Sequence, residues 1–525
     1  MDTVDREAIK TGVMPRPNFL YTGTVIVTVI VTLFLLFYRL DNYPLFFVDE
    51  GAFLRVSKTL AVEGVYADRS SEGYRYNGAV ISTGPTVIVP TAILFKIFGV
   101  SPIYGRIVSA VYGLLMLLAL WYLTKQLFNR SVALLAVIFA LASPALSMIF
   151  NARAMMGDLA GVFFILMGLI FWVHPKGKTW LELVLSGIFF GLACVTKFQF
   201  VLLVMPCIAA GFVLDLIWYR QHKWYYYFIP GFVGCVVSGL WFVYVIVILP
   251  NPANATQNIA AFRSAGSLAF TFDLRSVRYG LNYLASIDAY SGIVIAGLIA
   301  GFIFSVGKNK ESQDKSQVLL LIVLNFGMYL LSVVEWKRYS IPGLAIIPIF
   351  VAALVYRLIM IAFEKQWDWR SLISGRLNNQ DIQTWIVRVL AVALVLNLSI
   401  FPLITDALTV KSDGGNQATF AVAAYLKDNA KPDALIETYE PELATVSNFK
   451  FHFPLQVSET TLFRKLYRER TSGDNVYNFH DYVDPDYVIV GRLGVWANFY
   501  PPELLSGYEI AQKLGDYTIW KKVST

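Results

Sequence analysis

A succession of long apolar segments, running from Phe19 to about Thr405, constrains this chain more than any other feature. Helical segments of about 20 apolar residues match the hydrocarbon core of a bilayer, where each backbone polar group must be satisfied internally. The expected spans are 19–40, 105–127, 131–150, 158–174, 180–197, 199–218, 227–249, 287–306, 317–335, 339–362 and 384–405, about eleven in all. With 57% hydrophobic and only 15% charged residues, the chain cannot be a soluble enzyme over most of its length. The first segment is too long for a signal-peptide core and lacks a small-residue cleavage site, so it is expected to stay as an anchor.

Loop charge sets the expected orientation. Lys10 and Arg16 precede the first span and place residues 1–18 in the cytoplasm. Segment 79–98 is apolar, yet it holds Gly84, Pro85 and Pro90, which argue against an unbroken lipid-facing helix. If it does not span, the loops carrying Lys125/Arg130, Lys176/Lys178, Arg220/Lys223, Lys308/Lys310/Lys315 and Lys365/Arg370/Arg376 all fall on the cytoplasmic side. On that count Asp49, the loop 151–158, Lys197, the loop 251–285 and Glu335–Arg338 share the extracytoplasmic face. The net charge of +7 is then carried largely by short loops and implies no nucleic acid.

Past about residue 406 the composition changes. A helix is expected over Asn416–Asp428, a short strand at Ala434–Ile436, a charged helix near Ser458–Arg470 and a strand over Asp486–Gly491. Two further strands, Tyr508–Leu514 and Tyr517–Lys522, flank a Gly515-Asp516 hairpin. The expected architecture is an all-α polytopic membrane domain, residues 19–405, followed by a small extracytoplasmic α/β domain, residues 406–525. Residues 41–104 form an outer loop with interfacial helices. Cys194, Cys207 and Cys235 lie inside apolar segments and imply no disulfide framework. His174, His222, His452 and His480 lack ligand spacing, so no metal site is expected. Asn254-Ala255-Thr256 is a sequon on the expected outer face.

Chemistry concentrates where the spans surface. Asp49 and Glu50 follow the first span and open an amphipathic run in which Phe53, Val56 and Leu60 share a stripe. Asp49 reads either as the N-cap of an interfacial helix or as a catalytic carboxylate. Asp158 heads another span, as a helix-terminal acid would. Arg106, Lys197 and Lys337-Arg338-Tyr339 stand at span ends, where single cations snorkel to the interface. Taken jointly, carboxylates and cations at one membrane face describe a site for an anionic lipid headgroup beside a base.

These residues, in order, resemble the type C, polyprenyl-phosphate-sugar-dependent glycosyltransferases, in the branch of the protein O-mannosyltransferases and the lipid A aminoarabinose transferase. The resemblance rests on Val48-Asp49-Glu50-Gly51-Ala52-Phe53, on Thr83-Gly84-Pro85 with Phe95-Lys96-Ile97-Phe98-Gly99, and on Tyr104-Gly105-Arg106. It continues through Ser143-Pro144 with Arg153 and Asp158, Thr196-Lys197, and Arg338-Tyr339-Ser340-Ile341-Pro342, spanning roughly residues 20–350. It implies inverting transfer of one sugar from a polyprenyl-phosphate donor to an acceptor hydroxyl of a protein, lipid or glycan, with no cofactor and no metal. Asp49 would be the base, with Glu50 and Asp158 beside it and its pKa raised by burial and by those two acids. Arg106, Lys197, Arg338 and Arg75 would bind the donor phosphate, and Arg153 and Tyr339 would line the acceptor pocket. One departure stands out. Relatives of the aminoarabinose type carry Lys-Pro-Pro where this chain has Thr83-Gly84-Pro85, so another cation, Arg75, Arg106 or Lys197, must cover that charge. A secondary transporter or a non-catalytic lipid-binding protein of the same fold is the rival reading. The clustering of acids at one face and the terminal domain weigh against a transporter.

Overall fold

The computed structural model describes residues 19–173, 179–250, 255–256, 258–260, 263, 273–286, 293–332, 336–364, 379–412, 415–469, 471 and 476–523. The expected tail 1–18, the loop cations Lys176, Lys178, Lys365, Arg370 and Arg376, His174, Asn254 of the sequon and Glu335 lie outside the described residues.

The chain is an integral membrane protein with several apolar spans. Among the described residues five helices are long and apolar enough to cross a bilayer: Phe19–Phe37 (α1), Pro102–Leu127, Phe198–Tyr219, Tyr225–Ile248 and the stretch Arg388–Asn429. A sixth is bent by 45°, between Lys337–Ile346 and Pro348–Ile361. Among the described residues fewer elements reach full length than the eleven expected: breakers cut some apolar runs, and residues 287–292 and 333–335 of two others lie outside the described ones. The helix Arg130–Leu141 stops three residues before Pro144, and Asp158–Trp172 and Trp180–Thr196 have 15 and 17 residues. At ~1.5 Å per residue such pieces fall short of a ~30 Å core unless their flanks extend them.

Between α1 and Pro102–Leu127 (α4) the chain makes the elements that build the site. Val48–Glu63 (α2) ends on Gly64 in the left-handed region. A hairpin pairs Asp68–Ser70 (β1) with Gly73–Arg75 (β2). Segment 79–98 breaks at Thr83-Gly84 into a short turn of helix and Pro85–Phe98 (α3), with Pro90 inside. These 14 residues rise ~21 Å and bury Val87, Ile88, Thr91, Ala92 and Phe95 against neighbouring elements, α2 among them.

The last helix of the membrane domain runs on to Ser412, past the expected boundary near 406. Then comes a five-stranded mixed sheet in the order β4-β3-β5-β7-β6: Lys450–His452, Leu435–Thr438, Tyr487–Val490, Tyr517–Lys522 and Tyr508–Leu514. The first three strands are parallel and the last two antiparallel. Helix Gln417–Asn429 places Val422 and Leu426 in a core with Ile436, Ile489 and Ile519.

This domain is fastened to the loop elements by polar ties. Asn416 donates to the carbonyls of Asp41, Asn42 and Pro44, and Arg492 donates to that of Phe46. Lys58 donates to Ala444, Ser447 and Asn448 at 2.7–3.1 Å. At Gly51 the contact is so close that a Cβ would sit 2.6 Å from the Glu442 nitrogen. The domain therefore roofs the first turn of α2.

Candidate active site

Asp49 is the second residue of α2. The N-cap position belongs to Phe47, which makes no side-chain capping bond. The Asp49 carboxylate instead pairs with Arg338, which lies 289 residues away in the short turn Lys337–Ser340 that leads into the bent span. Capping thus does not explain this acid. Burial pushes the Asp49 carboxyl up, but the Arg338 and Lys197 charges outweigh burial and hold it below the ordinary aspartate range. The expected upward shift is not what the geometry gives. A quarter of the Asp49 side chain and 16% of that of Arg338 stay open.

Asp158 stands in the first turn of Asp158–Trp172 and is 1% exposed. Lys197, the C-cap of Trp180–Thr196, places its Nζ 3.6 Å from Asp158, beyond hydrogen-bond reach, so charge alone joins them. The electrostatic neighbours of this pair include Asp49 and Arg338, so two carboxylates and two cations from four distant segments form one cluster. Tyr339 sits at its edge: Arg338 lies 5.7 Å from the Tyr339 ring and 4.3 Å from that of Trp336.

Local sequence explains how Lys197 gets there. Thr83 and Lys197 form an isolated antiparallel bridge, and the Gly84 N–H donates to the Thr196 carbonyl at 3.1 Å. A Cβ at Gly84 would meet the Val195 carbonyl oxygen at 1.9 Å, so only glycine allows the two backbones this close. Gly157, at φ +77°, turns Asp158 in beside them. The Thr83-Gly84-Pro85 stretch therefore lies directly against Lys197.

The other expected site residues are engaged elsewhere. Glu50 is fully buried and takes a bidentate pair from Arg106 at 2.7 and 3.0 Å. Arg106 also donates to the carbonyls of Leu40 and Pro44, which uses four of its five N–H groups, and none of it is exposed. This pair pins α2 to α4 and the loop after α1. Arg153 is buried as well. It donates to the carbonyls of Leu35, Tyr38 and Arg39 and so satisfies the C-terminal end of α1. Arg75 binds Glu72 and the carbonyls of Phe453 and Pro454, clamping the hairpin to the terminal domain. Arg106, Arg75 and Arg153 are thus held as structural ties rather than turned toward the cluster.

Two residues near the cluster went unnoticed in the sequence. Tyr439 and Glu459, both in the terminal domain, interact with one another and with Asp49 from above. Burial pushes the Glu459 carboxyl up to about 7. No sequence signal marks either residue, because only the docking of the domain brings them here. Among the described residues no three His, Cys, Asp or Glu side chains stand close enough to hold a metal ion.

A helical membrane domain with carboxylate–cation pairs gathered at one end, under a small mixed-sheet domain, has the type C glycosyltransferase fold. Nearly the whole chain superposes on ArnT from Cupriavidus metallidurans bound to undecaprenyl phosphate. The TM-score is 0.65 at 16% identity, over 96% of this chain and 99% of that one. The archaeal oligosaccharyltransferase AglB from Archaeoglobus fulgidus, in complex with an inhibitory peptide and a dolichol-phosphate, superposes with a TM-score of 0.54 at 12% identity. There the match covers 96% of this chain and 74% of that one. No curated protein matches in sequence. Residues 83–246 match the family model described as dolichyl-phosphate-mannose-protein mannosyltransferase.

Proposed function

We propose that the protein transfers one sugar from a polyprenyl-phosphate donor to an acceptor hydroxyl at the extracytoplasmic membrane surface, with inversion and with Asp49 as the base. The observation that carries this reading is the Asp49 carboxylate. It is not spent on a cap, is held ionised, is partly open, and faces two cations that suit a phosphate. In the reaction the acceptor oxygen attacks the anomeric carbon while its proton passes to Asp49. The bond from the anomeric carbon to the phosphate oxygen breaks, and the electron pair leaves on polyprenyl phosphate. Phosphate needs little protonation to depart, so fixed positive charge suffices to stabilise it.

Arg338 and Lys197 are the cations available for that charge. The Arg338 guanidinium offers a bidentate fork, and Lys197 stands beside Thr83, bridged to it through the backbone. Arg338 is paired with the base itself. A donor phosphate would draw Arg338 away and uncover Asp49, so donor binding prepares the acceptor step. Asp158 keeps Lys197 in place by its charge, and Tyr339 lines the acceptor side. Two side-chain cations match one monophosphate, and the reading requires no metal. ArnT was solved with undecaprenyl phosphate, which supports a polyprenyl-phosphate donor here. The test is release of sugar from a radiolabelled polyprenyl-phosphate donor by the purified protein in detergent. Acceptor-dependent release that persists in chelator supports the reading, and its absence returns the chain to lipid binding or transport.

A further inference from the structure

A groove of about 270 Å³ opens on the seam between α2, the β1–β2 hairpin and the terminal domain. It lies on another face of α2 from Asp49. Arg55, Lys58, Thr59 and Val62 follow the i, i+3, i+4, i+7 stripe along one wall. Arg69 comes from the hairpin and Lys450 from the edge strand opposite. Four cations, Arg55, Lys58, Arg69 and Lys450, and one carboxylate, Glu63, line the groove, while Asp68, Glu442 and Glu459 act on Arg55 from behind the lining.

A buried cation lies at the floor. Arg55 is 8% exposed and gives its Nη2 to Asp68 at 2.7 Å, while its Nε and Nη1 meet no acceptor among the described residues. Those two nitrogens are closed off and the guanidinium lies 3.6 Å from the Phe453 ring, so Arg55 gives the groove positive charge. Lys58 has its ammonium spent on three oxygens, so it adds only charge. Arg69 and Lys450 are exposed at the rim, Arg69 with Glu63 no nearer than 3.9 Å. The rest of the lining mixes Ser71, Asn448 and Thr59 with the rings of Phe449 and Phe451. Polar groups beside aromatic faces suit a sugar ring, and the cations suit an anion carried on it.

We propose that this groove is a second, non-catalytic binding site for an anionic saccharide, a sugar bearing a phosphate or a carboxylate. Arg55 lies ~9 Å along the helix axis from Asp49, and Lys58 ~14 Å. On the glycosyltransferase reading, a multi-unit acceptor lodges its charged unit here, around the helix from the base. Glu459 interacts electrostatically with both Arg55 and Asp49. The binding claim stands without the transfer reaction; only the assignment of the ligand to the acceptor rests on the glycosyltransferase reading.

The experiment is calorimetric titration of the full chain in detergent, without donor, using glucose 6-phosphate, glucuronate, glucose and inorganic phosphate. Either anionic sugar should bind at least about tenfold more tightly than glucose and phosphate do. The double variant Arg69→Gln/Lys450→Gln, altered only at exposed side chains, should weaken that binding about tenfold or more and leave thermal melting unchanged. The Asp49→Asn variant should keep it, which separates failure of this site from failure of the catalytic reading. Absence of anionic-sugar binding, binding indifferent to the double variant, or phosphate binding as tightly as the sugar phosphate would each overturn the proposal.

Discussion

The Asp49 carboxylate and the Arg338 guanidinium form an ion pair across 289 residues of chain, joining the first turn of the interfacial helix to the foot of the bent span. The pair holds a base and a phosphate-binding group together until a donor separates them. Replacing Arg338 by Gln should raise the donor KM about tenfold or more. It should also move the acid limb of kcat/KM upward. With Arg338 present, Asp49 titrates below the ordinary value of about 3.9, so its basic form persists as the pH falls. Without it, burial is opposed by Lys197 alone and the limb shifts to higher pH. An unmoved limb would show that Arg338 does not control the base.

Lys197 and Arg106 separate binding from folding. Lys197→Gln should weaken donor binding about tenfold, and because it leaves the buried Asp158 without its cation some drop in melting accompanies the loss. Arg106→Gln leaves Glu50 buried without its partner and should destabilise the protein by about 3–5 kcal/mol, read as a drop in melting temperature. The reverse pattern would exchange their roles.

Gly84→Ala tests the backbone contact that brings Lys197 to the cluster. A Cβ there meets the Val195 carbonyl at 1.9 Å, so the loop must move and Lys197 with it. Transfer should fall by at least about tenfold and melting should drop, as expected where backbone strain is forced on a packed site. Unchanged kinetics would mean that the bridge is not needed.

Several of these relationships were legible in the chain and others were not. Loop charge and span ends put Asp49, Asp158, Lys197 and Arg338 on one face, and the structure brings those four together. The hairpin strands Tyr508–Leu514 and Tyr517–Lys522 run as expected, because alternation and a Gly-Asp turn are local signals. Strand Lys450–His452 was missed, being three residues long and placed between Phe449 and Phe453 with no clear period. Arg106, Arg75 and Arg153 look like any other cation near a membrane surface in sequence. Their partners are carbonyls and Glu50 from distant segments, which periodicity does not reveal. The roof residues Tyr439 and Glu459 depend on domain docking for the same reason.

The docking itself should respond to pH. Burial, with each carboxylate acting on its neighbourhood, pushes the Glu440 carboxyl up, further raised by Glu442, and burial pushes Glu442 up as well. Groups whose folded pKa exceeds the unfolded value of about 4.3 contribute fully below that value, and the contribution is lost as pH rises through the folded value. Melting of the terminal domain should therefore fall from weakly acidic to alkaline pH, and Glu440→Gln should flatten the slope. A slope unchanged in the variant would exclude Glu440 as its source.

The most direct test of the catalytic reading is the initial rate of sugar transfer by Asp49→Asn at saturating donor, with thermal melting measured beside it. Asn is nearly isosteric and equally suited to a helix N-terminus, but an amide cannot accept the proton of the acceptor hydroxyl. The predicted result is normal melting with transfer reduced about 100-fold or more. A variant that melts normally and keeps more than about a tenth of the rate would contradict Asp49 as the base.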